Sequence, residues 1–239
     1  MLPKIVFKPM SLEDNIDNIL WTYNDEEFHD TVCEVFPELK KADNLKNKEE
    51  YITGLFTNYY KNNIDEINDY VEKYNLLWNE YNDKYMKALS EYLNTSWDFE
   101  NITAYVGLVC ICPRNLSNHS FEIGVKFADE FVKKICAHET LHFLWFKKWK
   151  ELYKNCKKSE FESPHIVWKY SEMVVDPIIN SKKINNIIHE REEAYVYFYD
   201  MMDKNEKVMD ILKEIYNEDI TIEEKIKNGF EYIKEYFKV

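Results

Sequence analysis

Two histidines and a glutamate lie close together in one apolar stretch of the chain. His138, Glu139 and His142 form the pattern H-E-x-x-H within a run of mainly apolar residues that reaches Trp145. On an α-helix, residues four apart lie above one another on the same face, so both imidazoles can bind one metal ion. Neutral imidazole is a good zinc ligand, and a carboxylate beside zinc-bound water can act as a general base. The stretch therefore predicts a zinc site with His138 and His142 as ligands and Glu139 as the base.

The residues around this pattern have the composition of a helix. Residues 127–150 contain neither Gly nor Pro, and their apolar side chains recur mostly at helical spacing. The alternative interpretation is an ordinary amphipathic helix, on which the two histidines bind no metal and Glu139 is solvated.

A third metal ligand is expected downstream, because catalytic zinc usually has three protein ligands and one open position. Glu172 and Asp176 are four residues apart and share one face of a predicted helix with apolar neighbours. Buried carboxylates on one face repel each other unless each has a partner. We expect Glu172 to bind the metal and Asp176 to accept the ring N–H of a ligand histidine. The alternatives are a solvated acidic stripe, or pairing with Lys169 and Lys182.

Weaker ligand candidates precede this helix. Glu160 and Glu162 lie in a charged segment that has the composition of a loop.

H-E-x-x-H followed by E-x-x-x-D on a second helix resembles the gluzincin metallopeptidases, both the thermolysin-like and the smaller minigluzincin-like members. The resemblance covers residues 102–180, about a third of the chain, and the interval from His142 to Glu172 is longer than in the thermolysin-like members. It implies a single Zn²⁺ bound by His138, His142 and Glu172, with Glu139 as base and acid and with Asp176 orienting His138.

The family resemblance also implies two features of substrate binding. Gluzincins bind an extended peptide along an edge strand, for which residues 103–110 or 121–127 are the candidates. They commonly add a His or Tyr that donates a hydrogen bond to the oxyanion of the reaction. The candidates for that transition-state stabiliser are His189, Tyr195, Tyr197 and His165, and His189 also fits a solvated surface histidine.

The rest of the pattern predicts an α+β, mostly helical fold, with a small mixed zincin-like sheet, an active-site helix, a glutamate helix and extra N-terminal helices. We expect a single domain over residues 1–239, with a mainly helical part at 1–100 and a catalytic core with C-terminal helices at 101–239. The predicted strands are 4–7, 102–112 and 121–127, the last two antiparallel. The predicted helices are 12–23, 48–60, 64–93, 127–150, 165–179, 188–202, 206–216 and 221–236.

Composition narrows the classes of partner. The formal net charge of −13 disfavours nucleic acid and anionic membranes, since no basic patch is present. No window is apolar enough for a membrane span, and the N-terminus has no secretory leader pattern. The five cysteines form no disulfide framework, which is typical of a reducing compartment. These features predict a cytoplasmic protein.

Together these observations predict a zinc metallopeptidase that acts on a peptide or protein substrate. One alternative is a zinc hydrolase acting on a non-peptide amide. Another is a non-catalytic zinc-binding or protein-interaction domain. Glu139 favours the enzyme, because a structural zinc site needs no base.

Overall fold

A computed structural model describes residues 1–238 of the chain. The chain is mostly helical and contains a small mixed sheet, which confirms the predicted α+β, mostly helical class. The helices are α1 (Leu12–Asn24), α2 (His29–Val35), α3 (Lys48–Asn79), α4 (Asn82–Tyr92), α5 (Asp129–Leu152), α6 (Ile166–Met173), α7 (Val175–Ile179), α8 (Lys182–Ile188), α9 (Val196–Tyr199), α10 (Val208–Asn217) and α11 (Ile222–Phe237). The strands are β1 (Lys4–Pro9), β2 (Asn101–Gly107), β3 (Arg114–Asn115), β4 (Ser120–Gly124), β5 (Met202–Asp203) and β6 (Glu206–Lys207). Short 3₁₀ helices are Pro37–Asn44 and Lys158–Phe161.

The chain forms two compact units. The sheet unit comprises Lys4–Glu80 and Asn101–Ile135, and the HExxH unit comprises Met1–Pro3, Tyr81–Glu100 and the residues from Cys136 onward. This division differs from the expected one at residue 100. Residues 81–100 group with the C-terminal helices, whereas residues 101–135 group with the N-terminal ones.

The four-stranded sheet of the sheet unit has the order β1-β2-β4-β3. Strands β1 and β4 both run parallel to β2, with Ile5 opposite Ile102 and Ala104 opposite Phe121. The predicted antiparallel pairing of 102–112 with 121–127 is therefore wrong. The chain reverses between β3 and β4, so the antiparallel partner of β4 is β3.

The strand order also bears on the predicted peptide-binding edge. Strand β2 has a neighbour on each side, and β4 lies between β2 and β3, so neither candidate is an edge strand. The edge strands of this sheet are β1 and the two-residue β3.

Helices α1, α2 and α3 bury the core of the sheet unit. Ser11 caps the N-terminus of α1, because its side chain accepts a hydrogen bond from the amide of Asp14. The expected break in α3 at Asn62-Asn63 is absent. The side chain of Asn63 donates to the carbonyl of Tyr59 at 2.7 Å, so this polar residue is satisfied along the helix and does not end it. The main buried cluster comprises Ile19, Tyr23, Val32, Cys33, Leu39, Ala42, Ile52, Phe56, Ile67 and Leu108.

In the HExxH unit, one buried tyrosine joins three helices. The hydroxyl of Tyr170 on α6 lies 2.9 Å from the hydroxyl of Tyr216 on α10. It also donates to the carbonyl of Ile226 on α11 at 3.1 Å. Helix α11 begins with a complete capping box between Thr221 and Glu224. These contacts fix α6, the helix that carries Glu172.

Two predicted helices of this unit are divided or shortened. The helix predicted at 165–179 is split at Val174 into α6 and α7, and Pro177 occupies the first turn of α7, where its missing N–H costs nothing. The helix predicted at 188–202 is mostly irregular. Helix α8 ends at His189, which has a left-handed φ of 58°, and only α9 follows within that range. Across residues 1–238, no helix is long and apolar enough to cross a membrane.

Candidate metal centre

Helix α5 carries the two histidines and the glutamate of the H-E-x-x-H pattern. The rings of His138 and His142 lie one turn apart, with their centroids separated by 4.8 Å. His142 is fully buried, and the ring of Phe146 stacks beside it at 5.9 Å. The side chain of His138 keeps 19% of its surface exposed. The pair therefore has one ring held in the core and one ring that solvent reaches.

Glu172 on α6 points at both histidines. Its Oε2 lies 3.2 Å from Nε2 of His138 and 3.3 Å from Nε2 of His142. The side chain is 1% exposed, so this carboxylate is buried against its two nitrogen neighbours. The structure thus brings together the three residues that the sequence predicts as metal ligands.

The geometry of this cluster fits a metal ion. One ligand atom from each of His138, His142 and Glu172 lies within 4.8 Å of the others, and among residues 1–238 this is the one such group of His, Cys, Asp or Glu side chains. Ligands at zinc distances in a tetrahedral site lie about 3.3 Å apart, close to the two distances from Glu172. Two imidazoles and one carboxylate are also a known donor set for zinc. Glu160 and Glu162 are not members of the group.

Negative charge surrounds His138. Burial alone would lower the pKa of His138, but contacts with Glu172 and Glu192, together with the charge of Glu139, raise the pKa to about 10. A cation is therefore strongly favoured at this point, whether it is a proton on the ring or a metal ion beside it.

Glu139 follows His138 in the chain and is almost fully buried, with 7% exposed. Its charge acts on His138, which places the carboxylate within electrostatic reach of the cluster. A buried carboxylate in this position has the chemistry of a proton acceptor and donor.

The ring Nδ1 of His138 faces a carboxylate that the sequence analysis missed. Oε1 of Glu192 lies 3.3 Å from this nitrogen, and Glu192 is 9% exposed. The sequence gives little signal for this residue, because it lies among charged residues in Glu190-Arg191-Glu192-Glu193 that read as a polar surface.

Asp176, which we expected at Nδ1 of His138, has other partners. Its Oδ1 accepts a hydrogen bond from Asn180 at 2.7 Å. Its Oδ2 accepts one from the hydroxyl of Tyr199 at 2.5 Å and pairs with Lys213 at 2.8 Å. The break at Val174 separates Glu172 on α6 from Asp176 on α7, so the two carboxylates are not on one continuous helix.

Three of the candidates for transition-state stabiliser, His189, Tyr195 and Tyr197, follow α8, whereas His165 caps the N-terminus of α6 and accepts a hydrogen bond from the amide of Val167. His189 is exposed at the end of α8. Tyr195 and Tyr197 are 44% and 45% exposed, and their rings stack at 5.8 Å. The ring of Tyr195 lies 6.0 Å from that of Trp168, which is on the same helix as Glu172.

The chain matches no protein-family model, no curated protein and no solved structure. The resemblance to gluzincins therefore rests on the pattern of residues and on the cluster that His138, His142 and Glu172 form.

Proposed function

We propose that this protein is a zinc-dependent metallopeptidase that hydrolyses peptide bonds in peptide or protein substrates. The observation that carries the proposal is the buried cluster of His138, His142 and Glu172, with Glu139 beside it. We place this activity in the cytoplasm on the basis of the sequence composition.

The donor set favours zinc in a catalytic arrangement. His138, His142 and Glu172 supply three ligands, and the group found among residues 1–238 contains no fourth protein ligand. Structural zinc sites usually take four, most often with cysteine, whereas catalytic sites keep one position open. The partial exposure of His138 supports access to that position from solvent.

Each residue has a distinct role in the proposed reaction. His138, His142 and Glu172 would hold the ion, and a bound zinc ion supplies Lewis-acid chemistry at the substrate carbonyl. Glu139 takes a proton from the attacking water and delivers it to the leaving amine. Glu139 is 7% exposed and its charge acts on His138, which supports this role.

The test compares zinc-loaded wild type with Glu139→Gln on a peptide library. We expect Glu139→Gln to keep its zinc and to lose about 100-fold or more in kcat, since it cannot carry the proton. Glu130→Gln is the matched control, because Glu130 is an exposed acid in the first turn of the same helix.

Two results would overturn the proposal. One is a zinc-loaded wild type that cleaves no peptide in the library, which would favour a non-catalytic zinc-binding domain. The other is a Glu139→Gln variant that cleaves as fast as wild type.

A further inference from the structure

The irregular segment 189–195 between α8 and α9 brings a third carboxylate to the metal cluster. His138 has a carboxylate at each ring nitrogen: Oε2 of Glu172 lies 3.2 Å from Nε2, and Oε1 of Glu192 lies 3.3 Å from Nδ1. Glu172 also contacts His142, whereas Glu192 faces the side of the ring that points away from the proposed ion.

We propose that Glu192 is the positioning residue for His138, and that Asp176 acts on His138 only indirectly, through Asn180 and the backbone of Glu192. This inference rests on the metal site of the proposed function. It departs from the role that the E-x-x-x-D resemblance implies for Asp176.

The chemistry of a ligand imidazole explains the need for Glu192. A histidine that binds metal through Nε2 must carry its remaining proton on Nδ1, and an acceptor at Nδ1 fixes this tautomer and the ring orientation. Oε1 of Glu192 is at the required position. A carboxylate acceptor also makes the imidazole a stronger donor to the metal.

Asn180 holds the backbone of Glu192 from both sides. Its side-chain Nδ2 donates to the carbonyl oxygen of Glu192 at 2.6 Å, and its Oδ1 accepts from the amide of Glu192 at 3.0 Å. The remaining donor of Nδ2 goes to Oδ1 of Asp176 at 2.7 Å. Both amide hydrogens of Asn180 are thus used, and the side chain has one orientation that satisfies all three contacts.

Asp176 is the anchor of this arrangement. Its Oδ2 accepts from Tyr199 and pairs with Lys213, so the buried charge is compensated without His138. The hydroxyl of Tyr199 also accepts a hydrogen bond from the amide of Ala194 at 3.0 Å. Hydrogen bonds therefore hold the backbone of segment 189–195 at Glu192 and at Ala194. The side chains that make them, Asn180 and Tyr199, both donate hydrogen bonds to Asp176.

The burial of Glu192 fits a role at the metal site. Glu192 is 9% exposed and, like Glu172, contacts a ring nitrogen of His138, and a buried carboxylate is costly unless a cation or hydrogen-bond donor compensates its charge. The side chain of its neighbour Glu193 is exposed to solvent. Only Glu192 of this acidic pair faces the histidine.

The test measures zinc affinity by competition with a chelator for wild type, Glu192→Gln and Glu192→Ala, with Glu193→Gln as the control. We expect Glu192→Ala to bind zinc about 10–100-fold more weakly and Glu192→Gln to lose less, because its amide oxygen still accepts the ring N–H. Glu193→Gln should match wild type. Circular dichroism of each metal-free variant identifies any that fails to fold. If Glu192→Ala does not fold, the zinc affinity of the isosteric Glu192→Gln variant is compared with that of wild type.

A second readout separates positioning from general stability. With Co²⁺ in place of zinc, the visible absorption spectrum reports the ligand geometry, and we expect it to change in both Glu192 variants and not in Glu193→Gln. Asn180→Ala should weaken zinc binding in the same direction, and adding it to Glu192→Ala should cost little more, since the two act through one contact.

Three outcomes would overturn this inference, and each has a different meaning. Equal zinc affinity in wild type and both Glu192 variants would remove the role of Glu192 while leaving the metal site intact. A larger loss in Asp176→Asn than in Glu192→Ala would return the direct role to Asp176. A wild type that takes up no zinc would overturn the proposed function and this inference together.

Discussion

Oε2 of Glu172 lies 3.2 Å from Nε2 of His138, although the two residues are 34 positions apart in the chain. Glu172 lies on α6, and hydrogen bonds of Tyr170 connect α6 to α10 and α11. The position of the proposed third ligand therefore depends on packing at the C-terminal end of the chain.

Zinc should stabilise the folded protein against heat. Ions that bind only the folded state add about 2.7 kcal/mol when their concentration is 100 times Kd, which corresponds to a rise in Tm of about 5–10 °C for a chain of this size. Thermal unfolding with and without zinc measures this rise. His142→Gln should abolish it, whereas His189→Asn, at an exposed histidine, should keep it. An equal rise in both variants would show that zinc binds elsewhere.

Stability should fall with rising pH because of Glu122 on β4. Burial raises the pKa of Glu122 from 4.5 to about 7, with an opposing contribution from the Asn18 hydrogen bond and a supporting one from Asp14. Since the folded pKa is the higher one, the stabilisation is complete below about pH 4.5 and is lost as the pH rises through about 7.

The variant Glu122→Gln isolates this effect. It keeps an acceptor for Asn18 and carries no charge, so we expect urea unfolding at about pH 8 to show up to about 3 kcal/mol more stability than wild type. Near pH 4 the two proteins should be equally stable. A constant difference at both pH values would contradict the assignment to Glu122.

Two helical glycines should respond in opposite ways to alanine. A Cβ at Gly54 on α3 meets open space, so Gly54→Ala should raise the free energy of unfolding by about 0.5–1 kcal/mol. A Cβ at Gly229 on α11 would meet the hydroxyl of Tyr170 and, at 3.1 Å, a methyl of Leu212. Tyr170 is held by its two hydrogen bonds, so Gly229→Ala should lower stability by about 1–3 kcal/mol.

Denaturant unfolding of the two alanine variants side by side measures both changes. The two values should have opposite signs, and a gain at Gly229 would mean that Tyr170 yields more easily than its contacts indicate.

The sequence was sufficient for the features that local pattern determines. The α5 helix, the clustering of His138, His142 and Glu172, and the start of α1 after Ser11 depend on helical spacing and nearby side chains. The α+β class is confirmed for the same reason, since long amphipathic stretches are the strongest signal a single sequence carries.

The errors arose where distant contacts override local pattern. Strand β4 pairs parallel with β2 on one side and antiparallel with β3 on the other. The residues of β4 carry no local signal for this arrangement. Segment 189–195 was expected to be helical, yet Asn180 and Tyr199 hold its backbone groups at Glu192 and Ala194. The same contacts bury Glu192, which in sequence is one of several neighbouring acids.

The zinc content of the purified protein, measured by elemental analysis, tests the proposed metal site directly. Wild type is compared with Glu172→Ala, and Glu162→Ala serves as control because Glu162 is an exposed acid outside the cluster. We expect about one zinc per chain in wild type and in Glu162→Ala, and a sharp loss in Glu172→Ala. Full zinc in Glu172→Ala, or none in wild type after zinc is added back, would rule out the proposed metal site.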